Sequence, residues 1–354
     1  MAIPNALPYA HERRIAELAV QRASVVAKNV CRSTLPAAIS KLDASPVTIA
    51  DFAAQALLIS AIHAVFPADS FVGEEDATAL RADPHLANQV WNLVSTAHLE
   101  DAESDALLAT PATVAEMCDV IDLGGRGNGG RTGRFWALDP IDGTAAFIKN
   151  QQYAVSLALI EDGREVLGVL GCPNLSPSGP VTETNIDADG MGLMLSAVRH
   201  QGAVTRPMGR GAIQPAQEIT WASEDPVELK DVHFIDSKVT HEGRSLARQI
   251  GAYYPGTELY SSHMRYVALI LGGRTRAHVR VPKTRQAVSY IWDHAGAQLI
   301  YTESGKGKKV TDLLGEEIDF GGSRQLSGNW GVVAADETVH ARILELVGEI
   351  LKAR

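Results

Sequence analysis

Cysteine is scarce in this chain. Its three copies, Cys31, Cys118 and Cys172, lie far apart with no paired-ligand spacing, which excludes a zinc finger or a disulfide-stapled scaffold and fits a reducing compartment. Positive charge is also short. The 32 Lys and Arg against 42 Asp and Glu leave a net charge of −10, which argues against general affinity for nucleic acid or anionic membranes and leaves room only for a local basic pocket. No run is long and apolar enough to span a bilayer, and the N-terminus lacks the basic-then-apolar order of a secretory signal. Ile15, Leu18, Ala19, Arg22, Val25 and Val26 instead follow an amphipathic helix, where Glu12 and Glu17 argue against a transit peptide; a cytoplasmic protein is expected. No internal repeat or long low-complexity tract occurs, which excludes a solenoid. With 354 residues, 45% hydrophobic and 21% charged, the chain can bury one large core or two smaller ones.

What the sequence does contain is acidic residues at turns. In Trp136-Ala137-Leu138-Asp139-Pro140-Ile141-Asp142-Gly143-Thr144 the apolar lead-in reads as a strand. Pro140 cannot keep donating to a ladder, and Gly143 lets the backbone approach closely, so Asp139 and Asp142 are delivered into one tight turn. Carboxylates that close repel unless a cation lies between them, and a hard divalent ion such as magnesium suits oxygen donors. The same residues are also good turn chemistry, so the motif alone leaves a purely structural role open.

Three further acidic sites accompany it. Gly73-Glu74-Glu75-Asp76 follows the extended Ser70-Phe71-Val72. Asp51 falls in the first turn of a helix announced by Pro46 and Thr48, and Asp293 opens a helical pattern in Ile291-Trp292-Asp293-His294-Ala295-Gly296-Ala297. Singly, each acid in a first turn is explained by the helix dipole.

A coarse reading gives helices near 10–31 and 48–66, an acidic helical region at 77–122, and a surface loop at the glycine stretch 124–130. A strand pair follows at 153–160 and 165–170, joined by the turn Glu161-Asp162-Gly163-Arg164. Beyond about 175 the chain is loop-rich, then alternates again: a strand at Val232–Ile235, a helix from Glu242 to Ile250, and a helix from Met264 to Leu271 ended by Gly272-Gly273. Two halves are expected, 1–175 as an α+β half and 176–354 as an α/β half.

In order and spacing, Pro46-Val47-Thr48-x-x-Asp51, Gly73-Glu74-Glu75, Asp139-Pro140-Ile141-Asp142-Gly143-Thr144 and Trp292-Asp293-x-Ala295-Gly296 together resemble the inositol monophosphatase superfamily of magnesium-dependent, lithium-sensitive phosphatases. Within it, Gly133-Arg134-Phe135-Trp136, Leu170-Gly171-Cys172-Pro173-Asn174-Leu175 and Ile291-Trp292-Asp293-His294-Ala295 are most similar to the fungal and plant 3'(2'),5'-bisphosphate nucleotidases. The resemblance implies a layered α/β/α/β sandwich (α/β, α+β) with the metal site in the cleft between the halves. It implies two or three Mg2+ per site, with Glu74, Asp139 and the carbonyl of Ile141 holding one ion and Asp139, Asp142 and Asp293 a second. Asp51 and Thr144 would form the pair that orients the attacking water, with Glu74 in the catalytic set and Glu75 either supporting the ligand shell or standing only as a solvated neighbour. Gly143, Thr144, Lys238, Ser262, Arg265, Arg280 and Asp293 would face the substrate, Arg265 and Arg280 holding its non-reacting 5'-phosphate.

By the same resemblance the substrate is 3'-phosphoadenosine 5'-phosphate, with 3'-phosphoadenylyl sulfate as a second, in nucleotide metabolism and sulfate assimilation. The chain would act as a monomer on a small molecule, without nucleic acid or membrane. Two departures bear on substrate choice: Ala145-Ala146 stands where relatives carry Lys-Gly, and Arg265 where Lys is commoner. The alternatives are an inositol polyphosphate 1-phosphatase or another small phosphatase of the superfamily, and a metal-binding regulatory scaffold without turnover.

Overall fold

The computed structural model describes residues 7–32, 38–40, 46–221, 225–238, 246, 253–282, 284 and 287–352. The helix expected at Glu242–Ile250 lies outside them except for the buried Leu246. Two large sheets organise the described residues. After helix α1 (Ala10–Arg32) and a short hairpin, β1 (Ala38–Ser40) with β2 (Pro46–Thr48), helix α2 (Ile49–Val65) leads to β3 (Ser70–Gly73). Helices α3 (Thr78–Ala82), α4 (Pro84–Ser95), α5 (Ala102–Asp105) and α6 (Val114–Gly125) then precede β4 (Arg134–Asp142) and the single turn α7 (Thr144–Phe147). The meander β5 (Ala154–Glu161), β6 (Arg164–Cys172), β7 (Leu193–Val198), β8 (Ala203–Pro207) and β9 (Gln217–Glu218) completes a seven-stranded sheet in the order β3-β4-β5-β6-β7-β8-β9.

The second sheet has five strands in the order β11-β10-β12-β14-β13. Its elements are β10 (His233–Ser237), β11 (Tyr253–Leu259), α8 (Ser262–Gly272), β12 (Arg276–Arg280), a 3-10 turn at Ile291–Asp293, α9 (Ala295–Glu303), β13 (Lys308–Thr311), β14 (Val332–Asp336) and α10 (Glu337–Lys352). The first sheet thus continues to Glu218, and a division of the chain near 175 falls between its strands β6 and β7.

Burial explains the layering. Helices α1 and α2 cover one face of the first sheet, and α8 and α9 fill the space between its other face and the second sheet. Helix α10 packs Val339, Ile343, Leu346 and Val347 on the outer face of the second sheet, adding a further helical layer to the sandwich. Helix α1 is buried on nearly every side rather than on one stripe. Its two long buried cations are tolerated because each is bonded: Lys28 donates to the carbonyls of Pro173 and Asp187, and Arg22 to those of Leu57, Leu108 and Ala109.

Candidate metal centre

The acidic motif sits at the end of β4, the second strand of the seven-stranded sheet. Gly73 pairs with Leu138, so β3 leaves the ladder at Glu74 just where β4 reaches Asp139. On a regular strand residues three apart point to opposite faces. Here the register passes from Asp139↔Ser156 to Asp142↔Ala154, one residue more on β4 than on β5, and this bulge turns both carboxylates to the same side. Gly143 follows with φ 96°, and an added Cβ would lie 2.8 Å from the Cβ of Ser261, so glycine is needed both for the turn and for the close approach of α8.

Asp293 arrives from the second half. Helix α9 lies so close on the first sheet that a Cβ on Gly168 of β6 would come within 2.5 Å of the carbonyl oxygen of Gly296. The preceding 3-10 turn is fixed by the Tyr290 amide, which donates to the Asp293 carboxylate at 3.3 Å. Among the described residues, Asp139, Asp142 and Asp293 each offer one carboxylate oxygen to a group whose three atoms lie within 4.8 Å of one another.

The electrostatics is that of a site arranged for a cation. Burial, then repulsion from Glu74, Asp142, Asp293 and Asp51, holds the Asp139 carboxyl far above the ordinary carboxylate range. Burial and Asp142 push Asp293 up to about 7, against the opposing pull of Arg280. Asp139 Oδ1 is buried and accepts no hydrogen bond. An orphaned acceptor among converging hard oxygen donors fits a divalent metal such as Mg2+.

Asp142 has a second task that its motif did not disclose. Its carboxylate accepts the amides of Ser262 at 3.1 Å and His263 at 2.6 Å and the hydroxyl of Ser261, so it closes the N-terminus of α8. Ser261 is itself the N-cap, accepting from the Met264 amide. Asp51 is buried in the first turn of α2. The Thr144 hydroxyl donates to the Ile141 carbonyl at 3.3 Å. The amide of Glu75 donates to Gln55 Oε1 at 3.0 Å, and Gln55 Nε2 donates back to the Glu75 carbonyl at 2.6 Å, which locks the acidic turn to α2.

The glycine stretch begins inside α6 rather than in a loop. A Cβ on Gly124 would meet Gln55 at 2.8 Å and one on Gly125 the Glu75 carbonyl at 2.5 Å, so these glycines let the helix end close on the acidic turn. The remainder, from Gly127, is loop.

The basic residues diverge. Arg265 is buried, with Nη1 donating to the carbonyls of Leu259 and Tyr260 and Nη2 to the Ser262 hydroxyl at 3.0 Å; burial lowers its pKa. Arg280 is half-buried beside Asp293 and donates to Ser289 Oγ, with His294 Nε2 at 3.3 Å. Lys238 lies 5.3 Å from the ring centre of Tyr260. Lys149, which sequence reasoning did not single out, approaches the same ring at 4.4 Å and donates to its hydroxyl at 2.9 Å, so a cation stands a turn beyond Ala145-Ala146.

This fold is that of a metal-dependent phosphatase family. The family model described as the inositol monophosphatase family matches residues 11–352, and the chain belongs to that family. Among its relatives is a 3'(2'),5'-bisphosphate nucleotidase of Emericella nidulans, 39% identical over 98% of this chain and 100% of that protein. A protein of the same name from Oryza sativa is 33% identical over 98% of this chain and 96% of its own length. Solved structures of a Thermotoga maritima IMPase (TM-score 0.58, 17% identity, 95% of this chain and 96% of that one) and an Anabaena inositol monophosphatase (TM-score 0.57, 14% identity, 97% of each chain) share the fold. Among the described residues no helix is long and apolar enough to cross a membrane.

Proposed function

We propose that this chain is a Mg2+-dependent 3'(2'),5'-bisphosphate nucleotidase that removes the 3'-phosphate of 3'-phosphoadenosine 5'-phosphate, giving AMP, and also acts on 3'-phosphoadenylyl sulfate. The observation that carries the reading is the triad Asp139, Asp142 and Asp293, brought together in a chain that is 39% identical to a relative of that name over 100% of that protein. Glu74, Asp139 and the Ile141 carbonyl would hold one ion, and Asp139, Asp142 and Asp293 a second. Magnesium held there supplies a Lewis acid for the phosphoryl oxygens and lowers the pKa of water.

The chain's own groups do the rest. Thr144 Oγ1 orients the attacking water and passes a proton toward the buried carboxylate of Asp51. Gly143 and Thr144 border the reacting phosphate. Arg280 and the Ser262 hydroxyl hold the non-reacting 5'-phosphate, while Arg265 acts through Ser262, to which it donates. Lys238, on the rim with Tyr260, faces the nucleoside.

Phosphate release with Mg2+ across a panel of 3'-phosphoadenosine 5'-phosphate, 3'-phosphoadenylyl sulfate, 3'-AMP and inositol phosphates tests the reading. The bisphosphate should give the highest kcat/KM. Preference for an inositol phosphate would overturn the substrate, and no turnover on any member would overturn the enzyme.

A further inference from the structure

Arg324 joins the two halves of the acidic centre. Its Nη1 donates to the carbonyl of Gly125 at 2.5 Å and its Nη2 to the carbonyl of Gly73 at 2.9 Å, the residue directly before Glu74. The same guanidinium lies with its Cζ 5.0 Å from the ring centre of Trp292, the residue directly before Asp293. The backbone repeats the connection. The Ile291 amide donates to the Arg324 carbonyl at 3.1 Å, the Leu326 amide to the Ser289 carbonyl at 2.8 Å, and Tyr290 bridges to Gln325. Segment 324–326 therefore lies along the chain that enters the Asp293 turn, while its side chain reaches across to the turn that bears Glu74.

We propose that Arg324 is a positioning residue that sets the separation of Glu74 and Asp293 and so the affinity of the centre for Mg2+. The inference rests on the reading of those two acids as ligands. The chemistry is particular to arginine: a planar fork can serve two carbonyls in its plane and still present a face to an indole ring. A lysine ammonium keeps the charge but cannot do both.

The test is Arg324→Lys and Arg324→Gln, compared with the unaltered chain by titration calorimetry with Mg2+ alone and by the rise in Tm that Mg2+ produces. Both variants should bind Mg2+ at least about tenfold more weakly, as for groups that orient ligands. At saturating Mg2+, KM for the bisphosphate should change less than about twofold, a split that general loosening of the fold would not give. An unchanged Mg2+ affinity with only a lower metal-free Tm would overturn the proposal, and so would full recovery by lysine. Should the glutamine variant fail to fold, the lysine variant decides. A failure of the underlying reading looks different: the unaltered chain would then show no Mg2+ isotherm or no turnover of the bisphosphate.

Discussion

At the scale of single residues, the two aspartates of one motif are not equivalent. Asp139 keeps a buried oxygen without a partner and is raised by burial and four neighbouring acids, whereas Asp142 accepts three donors at the start of α8. Asp139→Asn should therefore lower activity at least about a hundredfold while stabilising the metal-free protein by roughly 1–2 kcal/mol, because it removes a carboxyl that burial, and then its acidic neighbours, make costly to ionise. Asp142→Asn should lose activity too, but destabilise by roughly 1–3 kcal/mol, since an amide cannot accept what both carboxylate oxygens now accept. Denaturant melts of the two metal-free variants check the opposite signs. The arginines divide similarly. Arg265→Ala orphans buried carbonyls and should lower stability as well as activity on every substrate. Arg280→Ala should weaken transition-state binding of the bisphosphate by roughly 2–5 kcal/mol and affect 3'-AMP much less. Equal losses on both substrates with Arg280→Ala would place that residue in the scaffold.

At the scale of elements, the glycines Gly168 and Gly296 fix how near α9 lies to β6, and α9 begins just after Asp293. Gly168→Ala should destabilise by roughly 1–3 kcal/mol through overpacking and weaken Mg2+ binding by shifting Asp293. Gly328→Ala, where an added Cβ meets nothing within 4 Å, is the control. Calorimetry and melts on both variants separate packing from backbone entropy. This level also shows how far the sequence could be read. Helices at α1, α2 and α8, the strand pair β5–β6 and the strand at β4 follow from periodicity and turn residues, because those signals are local. The spacing of Asp139 and Asp142 announced their shared turn, but the bulge that aims them depends on the register with β5. Gln55 and Arg324 carried no signal at all: their work is on backbone carbonyls far along the chain, and a carbonyl has no residue identity. Ser261 was legible in principle, as a serine just before an apolar helical run.

At the scale of the whole molecule, crowded carboxylates make metal-free stability depend on pH. Asp293 rises from 3.8 to about 7 on folding and Asp139 rises as well, so the folded state holds more protons than the unfolded chain across that interval. These groups should lower stability progressively as pH climbs from about 4 to about 7, and saturating Mg2+ should flatten or reverse the slope. Thermal melts over that range with and without Mg2+ decide the matter: a metal-free slope of the opposite sign would mean that other groups dominate. The distribution of the site along the chain has a kinetic side. Asp142 caps a helix about 120 residues later, at Ser261 and His263, and Asp293 joins it from further on still. Loop closure over such separations is slow, and no intermediate lacking the second half can assemble the triad. If the triad holds Mg2+ as proposed, the ion has nothing complete to bind until the last long-range contacts form. It should leave the refolding rate almost unchanged and slow unfolding instead, turning an equilibrium ligand into a determinant of the protein's lifetime.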